Sequence, residues 1–564
     1  MRSIFRLRWF FPALILLFLQ FSIRSEILGQ DAKPPDLDTQ IAAADQLYRA
    51  GKFAEAETSY QALLKNTASN GAVSKNDPKL VPAEVGVVRS MLRRQKIDEA
   101  FEAVNDALAS YPDSAALLAA KGDVQFRLAS MYDAEASYLA AKKLDPKEVH
   151  AYLGLARVYR AYSMYRIAYG ELKIAHDIAP GNPEVRAAWQ STLTRKEKLA
   201  AIEANLRGPL SEEERRQLTE QLEFLKATID KPLHSCTLVS NVERTETKLE
   251  TMVVETGRRR WGLAGSQGIG LPAKINDQDV HLELDTGASG IILSHRVGEN
   301  AGLTRISTIH FGGIGDQGGQ NGYIAVVDHI RIGELEFQDC LVTVSNQNSV
   351  ANQDGLIGAD VFASYLVDID LPGMWLKLSP LPQRPEDSVA PKSLNSEGVE
   401  QDSAAEKNLP AGSHPADFLP KDRYIAPEMA NWTKVFRFGH MIMVPTNVND
   451  SKPFLFGLDT GASSNVLSLR AGQQMGKVGA DNFERIRGLS GRVQNVYSTK
   501  ANLRFGGLRE PNQDIITFDL ETISSEMGTE ISGFLGYDML RQLELKLDYR
   551  DGLVEFEYDR KRRQ

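Results

Sequence analysis

The chain has almost no cysteine: Cys236 and Cys340 are the two present in 564 residues. Two thiols exclude a scaffold held together by many disulfides. With nine scattered histidines they also offer no Cys/His cluster at metal-ligand spacing, so neither a metal nor another cofactor is expected. An excess of positive charge is missing as well. Lys and Arg number 65 against 74 Asp and Glu, a net charge of −9, and with no basic stripe to neutralise phosphates no nucleic-acid partner is expected. The third absence is a long apolar run. Residues 9–23 come nearest, preceded by Arg2, Arg6 and Arg8 and closed by Arg24 and Glu26. This stretch falls short of the roughly 20 residues that cross a bilayer and has the layout of an export signal over residues 1–29. An exported protein is expected, periplasmic or secreted, with the segment either cleaved or kept as an N-terminal membrane anchor. In an oxidising compartment Cys236 and Cys340 form one disulfide or remain two buried thiols.

What is present is ordinary in bulk, 42% hydrophobic and 25% charged, but too long for one core, so several domains are expected. From residue 36 to 200 the sequence is rich in Ala, Leu, Tyr and Glu at helical spacing, and it repeats. Ala100, Ala134 and Ala168 are spaced by 34 residues, as are Ala107, Ala141 and Ala175, and again Pro112, Pro146 and Pro180. Val104, Tyr138 and Leu172 fill the same place in successive copies, and Gly51, Ala56 and Tyr60 fit an earlier one. The pattern resembles tetratricopeptide repeats, four of them, whose concave face binds a protein or peptide unless the array is a plain spacer. Helical sequence continues to about residue 227, its last segment opening with Ser211 and Glu214 as a capping box, and 201–251 is expected to be a helical cap and connector.

Beyond about residue 229 Val, Ile, Thr and Gly become frequent and apolar residues alternate in twos, the mark of half-buried strands. A polar Pro/Ser/Glu-rich stretch, 383–417, reads as a flexible linker dividing this part into 252–382 and 418–560. The two segments repeat one plan. "HLELDTGASGIILS" carries Asp285 and "FLFGLDTGASSNVLS" carries Asp459, each at the end of an alternating apolar strand. "PAKINDQ" precedes the first as "PTNVNDS" precedes the second, and "GLIGADVF" follows the first as "GFLGYDML" follows the second. Glycine after Asp-Thr lets the backbone approach the carboxylate and donate to it.

Both segments resemble retropepsin-type aspartic proteases, over about 253–381 and 418–558. The resemblance implies a multidomain chain, an all-α tetratricopeptide solenoid followed by two all-β retropepsin-like barrel lobes of the acid protease fold. It implies that Asp285 and Asp459 meet as the catalytic pair. Thr286 and Thr460 would grip across the lobe interface, Gly287 and Gly461 would shape the loops, and Ser289 and Ser463 would bond the outer carboxylate oxygens. The Gly-rich stretches 311–323 and 487–497 stand where flaps would, or are ordinary mobile loops. Asp360 and Asp538 read as helix N-caps rather than catalytic groups.

Two adjacent carboxyls cannot both ionise readily, so the pair keeps one proton, and one group can activate water while the other polarises an amide carbonyl. The expectation is an exported aspartic endopeptidase acting on polypeptides. Two alternatives stand beside it: lobes active only when paired with their twins in a homodimer, and a non-catalytic peptide-binding scaffold.

Overall fold

Small side chains at fixed helical positions let helices approach closely, and in the computed structural model every alanine of the two 34-residue series is buried. The model describes residues 36–70, 77–208, 212–229, 236–259, 262–315, 318–348, 350, 353–385, 422–475, 479–480 and 486–558. The expected export segment, nearly all of the expected linker and Ser211 lie outside the described residues.

Eight helices form four antiparallel pairs: α1 (Leu37–Arg49) with α2 (Phe53–Asn70), α3 (Val81–Arg93) with α4 (Ile97–Ser110), α5 (Ala115–Arg127) with α6 (Met131–Leu144), and α7 (Val149–Ala161) with α8 (Tyr165–Ile178). The C-caps Tyr111, Asp145 and Ala179 each precede one of the periodic prolines, which cannot continue a helix. Inside each pair the tight turn needs one left-handed residue, supplied by Gly51, Gln95, Ala129 and Ser163 in turn. Three further helices follow, α9 (Pro183–Gln190), α10 (Arg195–Leu206) and α11 (Glu212–Thr228). A capping box opens α10, from Thr194 and Glu197. No described helix is long and apolar enough to cross a membrane.

The connector is helical through α11 and extended beyond it. After α11 come β1 (Thr237–Leu238) and β2 (Thr245–Lys248), and each joins a sheet. Lobe 1 continues with β3 (Glu250–Arg259), β4 (Gly262–Ile275), β5 (Gln278–Asp285), β6 (Ile291–Leu293), β7 (Arg305–Phe311), β8 (Gln320–Ile332), β9 (Leu335–Ser345), β10 (Gly355–Gly358), β11 (Tyr365–Asp370) and β12 (Trp375–Pro380). Its sheet runs β1-β9-β6-β10-β5-β4-β8-β7, with β3 on β4. Cys236 is disulfide-bonded to Cys340 of β9, tying β1 to that edge.

Lobe 2 repeats the plan. Its strands are β13 (Thr433–Lys434), β14 (Phe436–Phe438), β15 (Met441–Val448), β16 (Pro453–Leu458), β17 (Val466–Ser468), β18 (Gly479–Ala480), β19 (Arg487–Gly488), β20 (Gly491–Arg492), β21 (Tyr497–Phe505), β22 (Leu508–Phe518), β23 (Gly533–Leu535), β24 (Glu544–Asp548) and β25 (Leu553–Glu557). The main sheet is β14-β15-β16-β23-β17-β22-β21-β18.

A third sheet belongs to both lobes. Its order is β13-β25-β24-β11-β12-β2, and the seam is β11 against β24, antiparallel with Val367 facing Leu547 and Ile369 facing Leu545. One apolar core passes through the seam, containing Leu284 and Val367 of lobe 1 with Leu458 and Leu547 of lobe 2.

The helical array is seated on lobe 2 by its within-pair turns. The Gln95 amide donates to Ser525 Oγ at 2.7 Å, Glu530 N to Arg127 O at 2.9 Å, and Thr529 Oγ1 to Phe126 O at 2.7 Å. Phe126 and Tyr162 share an apolar cluster with Phe436, Met441 and Phe534.

Candidate active site

Strand β5 delivers Asp285 and β16 delivers Asp459, each held by a second strand running parallel beside it. In lobe 1 the register sets Gly358 of β10 opposite Asp285; in lobe 2 Leu535 of β23 stands opposite Leu458, and Asp459 N donates to Leu535 O at 3.1 Å. A short strand pairs antiparallel on the far side of each, β6 and β17, so each aspartate sits at the mouth of a fully paired β unit.

The loops then meet across the lobes. Thr286 Oγ1 donates to Leu458 O at 2.8 Å and accepts from Thr460 N at 3.0 Å. Thr460 Oγ1 returns the arrangement, donating to Leu284 O at 2.8 Å and accepting from Thr286 N at 3.1 Å. Both threonines are buried, so these bonds are made away from water. Each glycine lies against the opposite aspartate. A Cβ added to Gly287 would stand 2.8 Å from Asp459 Cγ, and one added to Gly461 would stand 2.5 Å from Asp285 Cγ, closer than any real side chain allows.

Each carboxylate receives its own loop's N–H groups: Gly287 N to Asp285 Oδ1 at 2.8 Å, Gly461 N to Asp459 Oδ1 at 3.0 Å, and Ala462 N to the same Oδ1 at 2.8 Å. The two carboxyls also act on each other. Burial pushes both above the ordinary aspartate range, and the charge of Asp285 pushes Asp459 well above it, while the Gly287 N–H and Asp459 draw Asp285 back. A proton bound there belongs to the pair. Asp285 is half-buried, Asp459 buried.

The serines behave otherwise than expected. Ser289 Oγ donates to Asp360 Oδ2 at 3.1 Å, not to Asp285, and Gly290 N donates to Asp360 Oδ1 at 3.0 Å. Half-buried Ser463 offers its carbonyl to Asp538 N at 3.1 Å, and the hydroxyl that reaches Asp538 is that of Ser464, at 3.3 Å. Asp360 and Asp538 are therefore not N-caps, a place taken by Gly358 and Gly536; their carboxylates hold the two aspartate loops from behind.

Two hairpin tips touch, one from each lobe. The turn between β7 and β8 meets the turn between β19 and β20, where Gly313 N donates to Ser490 Oγ at 3.1 Å and Ser490 N to Ile314 O at 3.0 Å.

Sequence reading missed two residues here. His440, on the turn between β14 and β15, places Nε2 3.1 Å from Gly287 O. Glu283 is buried on β5 two residues before Asp285, and both aspartate charges act on it. Its acidic character within an apolar strand was the available signal. Among the described residues no group of three or more His, Cys, Asp or Glu side chains is arranged to hold a metal ion.

A family model described as aspartyl protease matches residues 271–361 and again 444–539. The chain carries two aspartyl protease-like regions. Each spans one aspartate loop and its supporting strand, which makes the duplicated plan of the sequence a duplication of aspartyl protease-like lobes. Among solved structures, a thermophilic TPR protein in Thermus thermophilus is 19% identical, covering 33% of this chain and 99% of that one with a TM-score of 0.27. A retropepsin-like aspartic protease from Rickettsia conorii is 18% identical, covering 24% of this chain and 95% of that one with a TM-score of 0.16. No curated protein matches the chain significantly.

Proposed function

We propose that the protein is an aspartic endopeptidase whose one catalytic site is formed within a single chain by Asp285 and Asp459. The observation that carries this reading is the reciprocal approach of each aspartate to the other lobe's glycine, locked by the two buried threonines. The ionised carboxyl takes a proton from a water held between the pair as that water attacks the amide carbon. The protonated carboxyl gives its proton to the carbonyl oxygen. The tetrahedral gem-diol collapses when one carboxyl protonates the leaving nitrogen and the other recovers the proton of the diol, which restores the starting state. The touching hairpins would part to admit a polypeptide and close over it.

Export and the binding role of the array belong to the same proposal. The first helices of the repeats, α3, α5 and α7, pack side by side, and each brings a charge at the same repeat position, Arg89, Asp123 and Arg157, linked by ion pairs. Such a row supports a polar face for a protein or peptide partner.

The test uses the full chain and an unfolded polypeptide substrate. Asp285→Asn and Asp459→Asn should each lower kcat/KM at least about 1,000-fold, since each change removes a proton-transfer group. Partial activity retained in both single variants would favour lobes paired between molecules, and a wild-type protein that cleaves nothing would favour a binding scaffold.

A further inference from the structure

Side chains alternate along a strand, so Glu283 shares the face of β5 that carries Asp285, while Leu282 and Leu284 point into the lobe core. Register extends that face sideways. Glu283 stands opposite Leu356 of β10, and Leu356 opposite Ile292 of β6; directly paired residues project to the same side. Their sequence neighbours Ile357, Ile291 and Leu293 are in the core, so Glu283, Leu356 and Ile292 line the opposite face, the wall of lobe 1 beside the aspartates.

The matching wall of lobe 2 is built differently. Two residues before Asp459 stands Gly457, paired with Phe534, whose ring would lie 2.7 Å from a Cβ added there. Val466 pairs with Phe534 on the same side, and Met441 packs into the same apolar cluster, which Phe126, Tyr138 and Tyr162 of the helical array fill. The pair of aspartates is thus flanked by an acidic wall on one side and an aromatic, apolar wall on the other.

Glu283 is 2% exposed, and its Oε1 is buried with no hydrogen-bond partner. The charges that act on it are those of Asp285 and Asp459, both negative. A buried carboxyl oxygen without a donor is costly, and an ammonium or guanidinium group supplies both the donor and the opposite charge. We infer that Glu283 is a specificity-determining residue that receives a lysine or arginine side chain of the substrate next to the scissile bond. The inference rests on the proposed peptidase reading.

The experiment uses the full-length protein and internally quenched peptides of one sequence that differ only beside the scissile bond, with Lys or the similarly long Met placed on its amino or its carboxyl side. The readout is the Lys-to-Met ratio of kcat/KM within each enzyme. Wild type should favour Lys at least about 10-fold on one side only, because a site built for a charged donor rejects an analogue that lacks it. Glu283→Gln, close to the natural shape, should bring that ratio near one, and Glu283→Asp, which keeps a carboxyl, should retain most of it. A wild-type ratio near one, or a ratio unchanged in Glu283→Gln, overturns the inference. If no peptide is cleaved, the peptidase reading fails separately. Binding of the same peptides by fluorescence anisotropy then decides on Glu283: tighter binding of the Lys peptide, lost in Glu283→Gln, supports the inference, and equal binding overturns it.

Discussion

The Thr286 hydroxyl sits between two backbone groups of the other lobe, the carbonyl of Leu458 and the N–H of Thr460, out of reach of solvent. Thr286→Val keeps the shape and leaves both groups without a partner. At about 1–3 kcal/mol for each buried group left unpaired, the variant should lose a few kcal/mol of unfolding free energy in denaturant titrations, and kcat/KM should fall because the aspartates are no longer held together. Unchanged stability would mean that the lobes do not depend on this grip. Much of the residue scale was legible. The word Asp-Thr-Gly-Ala-Ser occurs twice, and the parts played by its aspartates, threonines and glycines were implied by that repetition together with the retropepsin resemblance. Ser289 was not, because its partner Asp360 lies 71 residues away and competes with Asp285 for the hydroxyl through geometry that no local pattern encodes. His440 was equally hidden, since a lone histidine on a turn reveals its neighbour only after folding.

At the scale of elements, the end of β24 carries a titrating strain. Asp548 is 1% exposed; burial and the neighbouring charge of Asp551 push its carboxyl up to about 7. The unfolded chain would hold it at its ordinary value of 3.8. The folded state therefore binds the proton more tightly, and the stability this contributes is complete below the unfolded value and is lost as pH rises through about 7. Asp548→Asn cannot titrate there. Its unfolding free energy should decline less than that of wild type between pH 4 and pH 8, by on the order of a few kcal/mol, as measured by urea unfolding across that range; parallel curves would count against the shift. The strands that form the lobes were foreseeable from their period-two pattern. Membership of the shared sheet was not, because it gathers β2, β11, β12, β13, β24 and β25 from four separate stretches, and alternation in a short strand says which face is buried but not which neighbour it takes.

Over the whole molecule, the helical array does more than follow the lobes in sequence. Phe436, Met441 and Phe534 of lobe 2 share their apolar cluster with Phe126, Tyr138 and Tyr162 of the array. A chain beginning at residue 236 would expose part of that cluster to water. It should melt several degrees lower than the full protein and bind a hydrophobic dye or self-associate; a monodisperse lobe pair of unchanged melting temperature would show the docking to be energetically idle. The repeat itself was plain in the sequence through alanine and proline in register, yet its seat on lobe 2 was not. The turn residues that make the seat, Gln95, Ala129 and Ser163, share a backbone conformation and no side-chain chemistry. The seam of β11 against β24 has a consequence of its own. Two copies of one half would offer a bound polypeptide the same residue on both flanks, although that polypeptide has a direction. Covalent continuity lets the flanks differ, Glu283 on one and Gly457 on the other, so that each can suit its own end of an oriented guest. It also makes assembly of the site independent of how dilute the protein becomes.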